Sequence, residues 1–389
     1  MKKMLMVATV PSMIGQFNMN NISILLDLGY EVHVACNWND RSVWTQEKVD
    51  NLKNKLNDLK VKFYQIDFSR SIFDLKNHFE SYKQILELTN KNKYNFIHCH
   101  TPIASVITRL VCKKSRIKCI YTAHGFHFYK GAPLINWMIF YPIEKYLSKY
   151  TDILITINKE DYNRAKNSFK MKAIEYIPGV GVDIQKFQLD DFDRDSYRKQ
   201  LGLNKNDFMI LSVGELNTNK NHQVILKAIA KLNNPNIKYM IAGKGNLKSY
   251  LIMLSKKLRI ENQVTLLGFR KDIAALLQSS DLFAFPSKRE GLGLAAIEAM
   301  ASGLPLITSN IQGIKDYLIE GITGYSCNSN DVNAFASNIK LLYENQKKRK
   351  NISESNKKFV KKFDKKITEK IMKDIYFNAL LNCGGSRKK

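Results

Sequence analysis

Pro286-Ser287-Lys288-Arg289-Glu290-Gly291-Leu292-Gly293-Leu294-Ala295-Ala296-Ile297-Glu298-Ala299-Met300-Ala301-Ser302-Gly303-Leu304-Pro305 follows a short apolar run, residues 282–285, and leads into a stretch with helical spacing. The run has the length and aromatic content of a buried strand. Glycines at 291 and 293 free the turn of side-chain bulk, so main-chain N–H groups reach a ligand where the helix begins, near Leu292. Such a helix start carries partial positive charge and suits a diphosphate. Glu290 stands on the loop, and Glu298 lies about two turns further on, within reach of a ribose hydroxyl.

On both sides of this segment, apolar, β-branched or aromatic runs alternate with longer amphipathic stretches. They cover residues 4–9, 31–36, 61–66, 96–98, 119–122 and 153–157, then 209–213, 239–242, 264–267, 282–285 and 306–308; residues 221–232 and 292–301 are examples of the helical stretches between them. This alternation predicts an α/β protein with parallel sheets covered on both faces. Two such series predict two doubly wound domains. The turn-rich Tyr176-Ile177-Pro178-Gly179-Val180-Gly181-Val182-Asp183, with the acidic stretch 190–195 after it, places a linker near 180–200. The expected domains are therefore 1–185 and 186–365, with residues 366–381 as a C-terminal helix and a basic tail to 389 that frays from Gly384 onward.

The spacing of Glu290 and Glu298, with the flanking Pro286-Ser287 and Ala301-Ser302-Gly303-Leu304-Pro305, resembles the E-x7-E motif of the family-4 glycosyltransferases of the GT-B fold. The resemblance runs over roughly residues 3–380. It implies two Rossmann-like domains facing across a cleft, with the C-terminal helix crossing back to the first. It also implies a retaining transfer from a nucleotide diphosphate sugar, UDP-sugar being the expected donor, with no metal and no other cofactor. In that scheme Glu290 holds the sugar hydroxyls, Glu298 the ribose, and Gly291, Gly293 and Leu294 offer backbone N–H groups to the diphosphate.

Ser212-Val213-Gly214-Glu215-Leu216-Asn217-Thr218-Asn219-Lys220-Asn221-His222 follows the same family order. Gly214 opens the loop and Lys220 meets the diphosphate as a point charge. Glu215 stands where the family usually carries arginine, and a carboxylate cannot clamp phosphate, so Glu215 is left without a role. Gly243, in Ala242-Gly243-Lys244-Gly245-Asn246, borders the nucleotide, and Arg270, in Gly268-Phe269-Arg270-Lys271, lies where the base is held. The glycines of the former fall short of a dinucleotide fingerprint, because residue 248 is lysine and no acidic ribose ligand stands about 20 residues on. In Thr122-Ala123-His124-Gly125-Phe126-His127-Phe128, the family places a histidine facing the transferring sugar. His124 is the match and His127 the rival. Gly15, in the first strand–helix loop, stands for the paired glycines that the family often brings to the sugar-phosphate.

Six cysteines without a C-x-x-C pair speak against a zinc site or a disulfide framework. The 389 residues contain no long apolar run, so neither a spanning helix nor a signal peptide is expected. The net charge of +26 calls for an anionic partner. No acidic residue lies between Glu87 and Glu144, a gap that holds Arg109, Lys113, Lys114, Arg116 and Lys130. Residues 103–118 read as a basic amphipathic helix, and Phe126, His127 and Trp137 lie in an aromatic stretch beside it. Together they predict peripheral contact with an anionic membrane surface at the inner face of the cell membrane, where a polyprenyl-diphosphate-linked saccharide would be the acceptor. Residues 61–76 and 124–162 look most like bacterial members that extend such lipid-linked glycans for capsule or exopolysaccharide. Two rivals are a GT-B epimerase and a basic, non-enzymatic binding protein. No nucleic-acid-binding module is present to support the latter.

Overall fold

The structure is a computed structural model that describes residues 2–381; Cys383 and the tail expected to fray from Gly384 lie outside the described residues. The chain divides into two compact units, residues up to Val180 together with those from Lys366 on, and residues 181–365.

The first unit runs β1 (Lys2–Val7), α1 (Pro11–Phe17), α2 (Met19–Asp27), β2 (Tyr30–Cys36), α3 (Gln46–Asp58), β3 (Lys62–Gln65), α4 (Leu75–Asn92), β4 (Phe96–His100), α5 (Pro102–Ser115), β5 (Lys118–Ala123), α6 (Leu134–Leu147), β6 (Ile153–Thr156), α7 (Lys159–Ser168) and β7 (Ala173–Tyr176). Its strands pair in parallel in the order β3-β2-β1-β4-β5-β6-β7. Asp74 and Asn158 cap α4 and α7 through their side chains, and Pro102 opens α5 with its ring where no N–H is needed.

The second unit runs α8 (Arg194–Gln200), β8 (Phe208–Val213), α9 (His222–Leu232), β9 (Ile237–Ala242), α10 (Lys248–Lys257), β10 (Val264–Gly268), α11 (Ile273–Ser279), β11 (Leu282–Phe285), α12 (Leu294–Ala301), β12 (Leu306–Ser309), β13 (Gly324–Cys327), α13 (Val332–Glu344) and α14 (Gln346–Phe359). These strands pair in parallel in the order β10-β9-β8-β11-β12-β13. α15 (Lys365–Leu381) closes the described chain and joins the first unit from Lys366 on: Tyr376 stacks on Phe96 of β4 at 6.1 Å.

Central strands β4, β11 and β12 are buried at every position, as parallel strands covered on both faces must be. In each sheet the strand order reverses once, at β1/β4 and at β8/β11, and the loops leaving the C-terminal ends there are where an open α/β sheet binds its ligand.

Two expectations need correction. The stretch 180–200 is folded rather than a free linker. Val182 exchanges main-chain hydrogen bonds with Phe363 and Lys365, Lys365 Nζ lies 2.6 Å from Asp183, and Arg198 of α8 donates to the carbonyl of Ser279 and to Asp281. The units part at Val180 rather than at residue 185. Strands β7 and β13 fall outside the apolar runs of the sequence, because both are four-residue edge strands, Ala-Ile-Glu-Tyr and Gly-Tyr-Ser-Cys, with little apolar patterning.

Candidate functional site

In the second unit, two loops at the β8/β11 switch point are zipped together. The N–H of Lys288 donates to the Asn219 carbonyl at 2.8 Å, and the Asn219 side chain donates back to the Arg289 carbonyl at 3.0 Å. Asn221, in a left-handed conformation before α9, donates to the carbonyls of Pro286 and Ser329. This brings Lys220 and Glu290, 70 residues apart, into an ion pair of 2.6 Å. Gly214 makes room for it, since a Cβ there would stand 3.2 Å from the Lys220 chain. Lys220 also lies 4.9 Å from the ring centroid of Phe285, so its ammonium is held between a carboxylate and an aromatic face. Glu215 is exposed to solvent.

Gly293 ends the second loop with φ 86°, a left-handed value that favours glycine, and a Cβ there would meet the Phe285 ring at 2.7 Å and the Tyr317 hydroxyl at 3.0 Å. α12 therefore starts at Leu294, two residues later than the spacing suggested, and Glu298 sits on its second turn. The first N–H groups of a helix have no partner within it, so the helix start after Gly293 is suited to an anion. Gly313 packs against Gly291: a Cβ on Gly313 would stand 2.2 Å from its carbonyl oxygen. Gly243 is equally constrained, by the Gly214 carbonyl at 1.8 Å from its would-be Cβ, so its small size serves the packing of the two loops. Tyr317, missed in the sequence, is fully buried with no hydrogen-bond partner for its hydroxyl, a state that costs about 1–3 kcal/mol. Arg270 is engaged within its own unit, by Asp272 and by the hydroxyl of Tyr197 at 3.1 Å.

Burial pushes the Glu298 carboxyl up to about 7, a rise that Lys186 only partly opposes. If Glu298 takes ribose hydroxyls, its ionised form is the better acceptor. Donor affinity should then increase as pH rises through 7, while the contribution of Glu298 to the stability of the ligand-free protein is lost between about pH 4.5 and about pH 7, because the folded state holds this proton more tightly than the unfolded chain. Calorimetric titration of UDP between pH 6 and 8 checks this. A pH-independent affinity, or the same pH dependence in Glu298→Gln, removes the assignment.

In the first unit, His124 leaves the C-terminal end of β5, and its Nε2 lies 3.2 Å from Nδ1 of His100 on β4. Gly125 has φ 121°, and Asp161 at the start of α7 accepts from the N–H of Phe126 at 3.0 Å, fixing the turn that carries His124. Thr101, at φ 68°, bonds both the N–H and the hydroxyl of Thr9, so the β1 and β4 loops are tied together beside it. His98 and His100 form a period-two pair on one strand face, a signal that strand alternation in the sequence carries. The His127 ring packs at a tilt on Phe140, with centroids 4.7 Å apart.

Several expected site residues have other duties. Gly15 lies inside α1 rather than on a loop, and a Cβ there would run into the Trp44 ring at 2.2 Å; its smallness serves packing within the unit. Arg109 is only 1% exposed and pairs with Glu144 at 2.8 Å, so it is not available to a membrane. Burial alone would lower its pKa, but Glu144 and Tyr121 outweigh that and hold the guanidinium charged. Phe126 is core, stacked on Phe128 at 4.8 Å, and Trp137 is partly buried under the Arg164 guanidinium. Lys113, Lys114 and Arg116 are exposed as expected. Among the described residues no helix is long and apolar enough to cross a membrane.

Two parallel α/β units, with a lysine–carboxylate pair beside a glycine-opened helix start, have the architecture expected of the GT-B class. Comparison with known proteins agrees. Residues 7–158 match the family described as Glycosyl transferase 4-like, and residues 193–359 that described as Glycosyl transferases group 1. The chain is 34% identical over 382 residues to the putative glycosyltransferase EpsD of Bacillus subtilis, covering 96% of each chain. It is 29% identical over 341 residues to the UDP-Gal:alpha-D-GlcNAc-diphosphoundecaprenol alpha-1,3-galactosyltransferase of Escherichia coli, covering 85% of this chain and 87% of that one. Among solved structures, Anabaena Alr3699/HepE in complex with UDP-glucose superposes with a TM-score of 0.77 at 18% identity, over 97% of this chain and 100% of that one. WaaG, a glycosyltransferase involved in lipopolysaccharide biosynthesis, superposes with a TM-score of 0.72 at 15% identity, over 96% of this chain and 99% of that one. The chain belongs to the family-4 glycosyltransferases of the GT-B fold.

Proposed function

We propose that this enzyme is a retaining, metal-independent glycosyltransferase that moves a sugar from a UDP-sugar to a polyprenyl-diphosphate-linked saccharide in surface polysaccharide assembly. The observation that carries the reading is the Lys220–Glu290 pair beside the start of α12. Without donor, each charge satisfies the other. A diphosphate carries more negative charge than one carboxylate, so it draws the ammonium away and leaves Glu290 to accept from sugar hydroxyls. As the anomeric C–O bond breaks, the leaving UDP gains negative charge and the sugar gains oxocarbenium character. Lys220 and the N–H groups after Gly293 stabilise the former and Glu290 the latter, aimed before the reaction begins. Attack by the acceptor hydroxyl on the face the UDP leaves, with its proton passing to the phosphate oxygen that departs, retains the anomeric configuration.

The donor and acceptor classes are supported by the galactosyltransferase relative, whose name pairs UDP-galactose with a diphosphoundecaprenol-linked sugar, and by the UDP-glucose complex of the structural neighbour. The membrane face of the first unit is α6, where Leu134, Ile135 and Met138 are 81%, 55% and 72% exposed, near the exposed Lys130, Lys145 and Lys149. Apolar side chains beside lysines suit an anionic leaflet, peripherally and at its cytoplasmic side.

Incubating the protein with UDP- and GDP-sugars and an undecaprenyl-diphosphate-linked acceptor, in excess EDTA, tests the reading. Transfer from a UDP-sugar with the donor's anomeric configuration kept is expected. Dependence on restored Mg²⁺, preference for GDP-sugars, or an inverted product overturns the corresponding element.

A further inference from the structure

His98 has both ring nitrogens occupied: Nδ1 lies 2.8 Å from the Tyr376 hydroxyl of α15, and Nε2 lies 2.8 Å from the Thr122 hydroxyl of β5. The next residue on that strand face, His100, packs on it with ring centroids 4.2 Å apart, so its ring has little freedom to turn. Its Nδ1 bonds His124, and its Nε2 is buried without a partner.

One proton lies between His100 Nδ1 and His124 Nε2 when both rings are neutral, and it belongs to one of them. If His124 donates, His100 must carry its own proton on Nε2, which leaves a buried N–H without an acceptor. If His100 donates from Nδ1, its Nε2 is left as a bare lone pair. Orphaned buried N–H groups are rarer than under-satisfied acceptors, so the second arrangement is favoured. It obliges His124 to carry its proton on Nδ1. All three rings stay neutral near pH 7, since burial lowers His98 to about 3, His100 well below its usual value and His124 to about 4.

We infer that His100 is a positioning residue for the transfer, locking the His124 ring in the tautomer protonated on Nδ1 so that His124 acts as a fixed, neutral hydrogen-bond donor to the substrate. The inference rests on the role that the family resemblance implies for His124, meeting the transferring sugar. It assigns His124 no proton-transfer step, which fits a transfer whose new charge is carried by the leaving diphosphate. Tyr376 and Thr122 act one layer behind, holding His98 and through it the plane of His100.

Nitrogen-15 histidine NMR on the full-length protein and steady-state kinetics test this together. Expected in the wild type is a His124 signal with Nδ1 protonated and Nε2 bare. His100→Asn, whose amide nitrogen can stand near the Nδ1 position, should keep that signature and most of the activity. His100→Leu, apolar and of similar bulk, should fold with an unchanged melting temperature, lose the single tautomer, and show kcat lowered about 10-fold or more with donor KM little altered. A His124 protonated on Nε2 in the wild type, or wild-type kcat in His100→Leu, overturns the proposal. Unimpaired transfer by His124→Ala overturns the role of His124 instead, and the NMR tautomer still decides whether His100 sets it.

Discussion

Replacing Glu290 with glutamine should lower turnover by about 10²-fold or more, while binding of UDP alone becomes tighter. The two effects share one cause. In the ligand-free protein the Glu290 carboxylate holds the Lys220 ammonium at 2.6 Å, so a diphosphate must compete for that cation. An amide of the same size keeps the packing against the loop but gives up the charge, which leaves Lys220 free for the diphosphate. The same amide is a poorer acceptor for sugar hydroxyls and cannot counter the positive character that develops on the sugar in the transition state. Ground-state binding therefore survives and transition-state stabilisation is lost. Lys220→Ala should fail differently, with UDP binding weakened directly. Isothermal titration with UDP beside a transfer assay separates the two. Near-normal transfer by Glu290→Gln, or weaker UDP binding in that variant, would refute the role given to this pair.

The outline of that site was legible in the sequence because it is local. The run read as residues 282–285 is β11, the glycines at 291 and 293 mark the turn, and Glu298 follows at helical distance. The ion pair was not legible, because Lys220 and Glu290 meet only when β8 and β11 become neighbours at the point where the strand order reverses. The histidine cluster lies between. His98 and His100 share a strand face by alternation, yet their meaning depends on His124 from the next strand and on Tyr376, 278 residues away from His98. Gly15 shows the opposite failure: a glycine near the first strand suggested a ligand, and the reason for its size is the Trp44 ring. A glycine in a sequence announces close approach without saying whether ligand or protein is approaching.

Arg109 is the sharpest case, and its test carries the largest expected change in stability. The sequence placed it in a basic run with Lys113, Lys114 and Arg116, and those three are exposed. α5, however, is buried nearly all round as far as Cys112, and only its last turn reaches solvent. Arg109 there donates to Glu144 and to the carbonyl and hydroxyl of Ser105, with its guanidinium 4.5 Å from the Tyr121 ring centroid. The acid-free gap in the sequence ends at the residue that neutralises it. Arg109→Met should destabilise the protein by about 3–5 kcal/mol, because it strands the Glu144 carboxylate in the core. Arg109→Met combined with Glu144→Leu should recover most of that loss, since a buried ion pair exchanged for apolar side chains of similar volume is often neutral. Urea unfolding of the three proteins gives both numbers. Vesicle binding gives the contrast: with phosphatidylglycerol liposomes, the folded double variant should bind like the wild type, whereas Leu134→Ser with Met138→Ser on α6 should bind more weakly at unchanged stability. Liposome binding that follows Arg109 rather than Leu134 and Met138 would return the membrane contact to α5. Stability that ignores Arg109 would mean that this buried pair is not what holds α5 to α6.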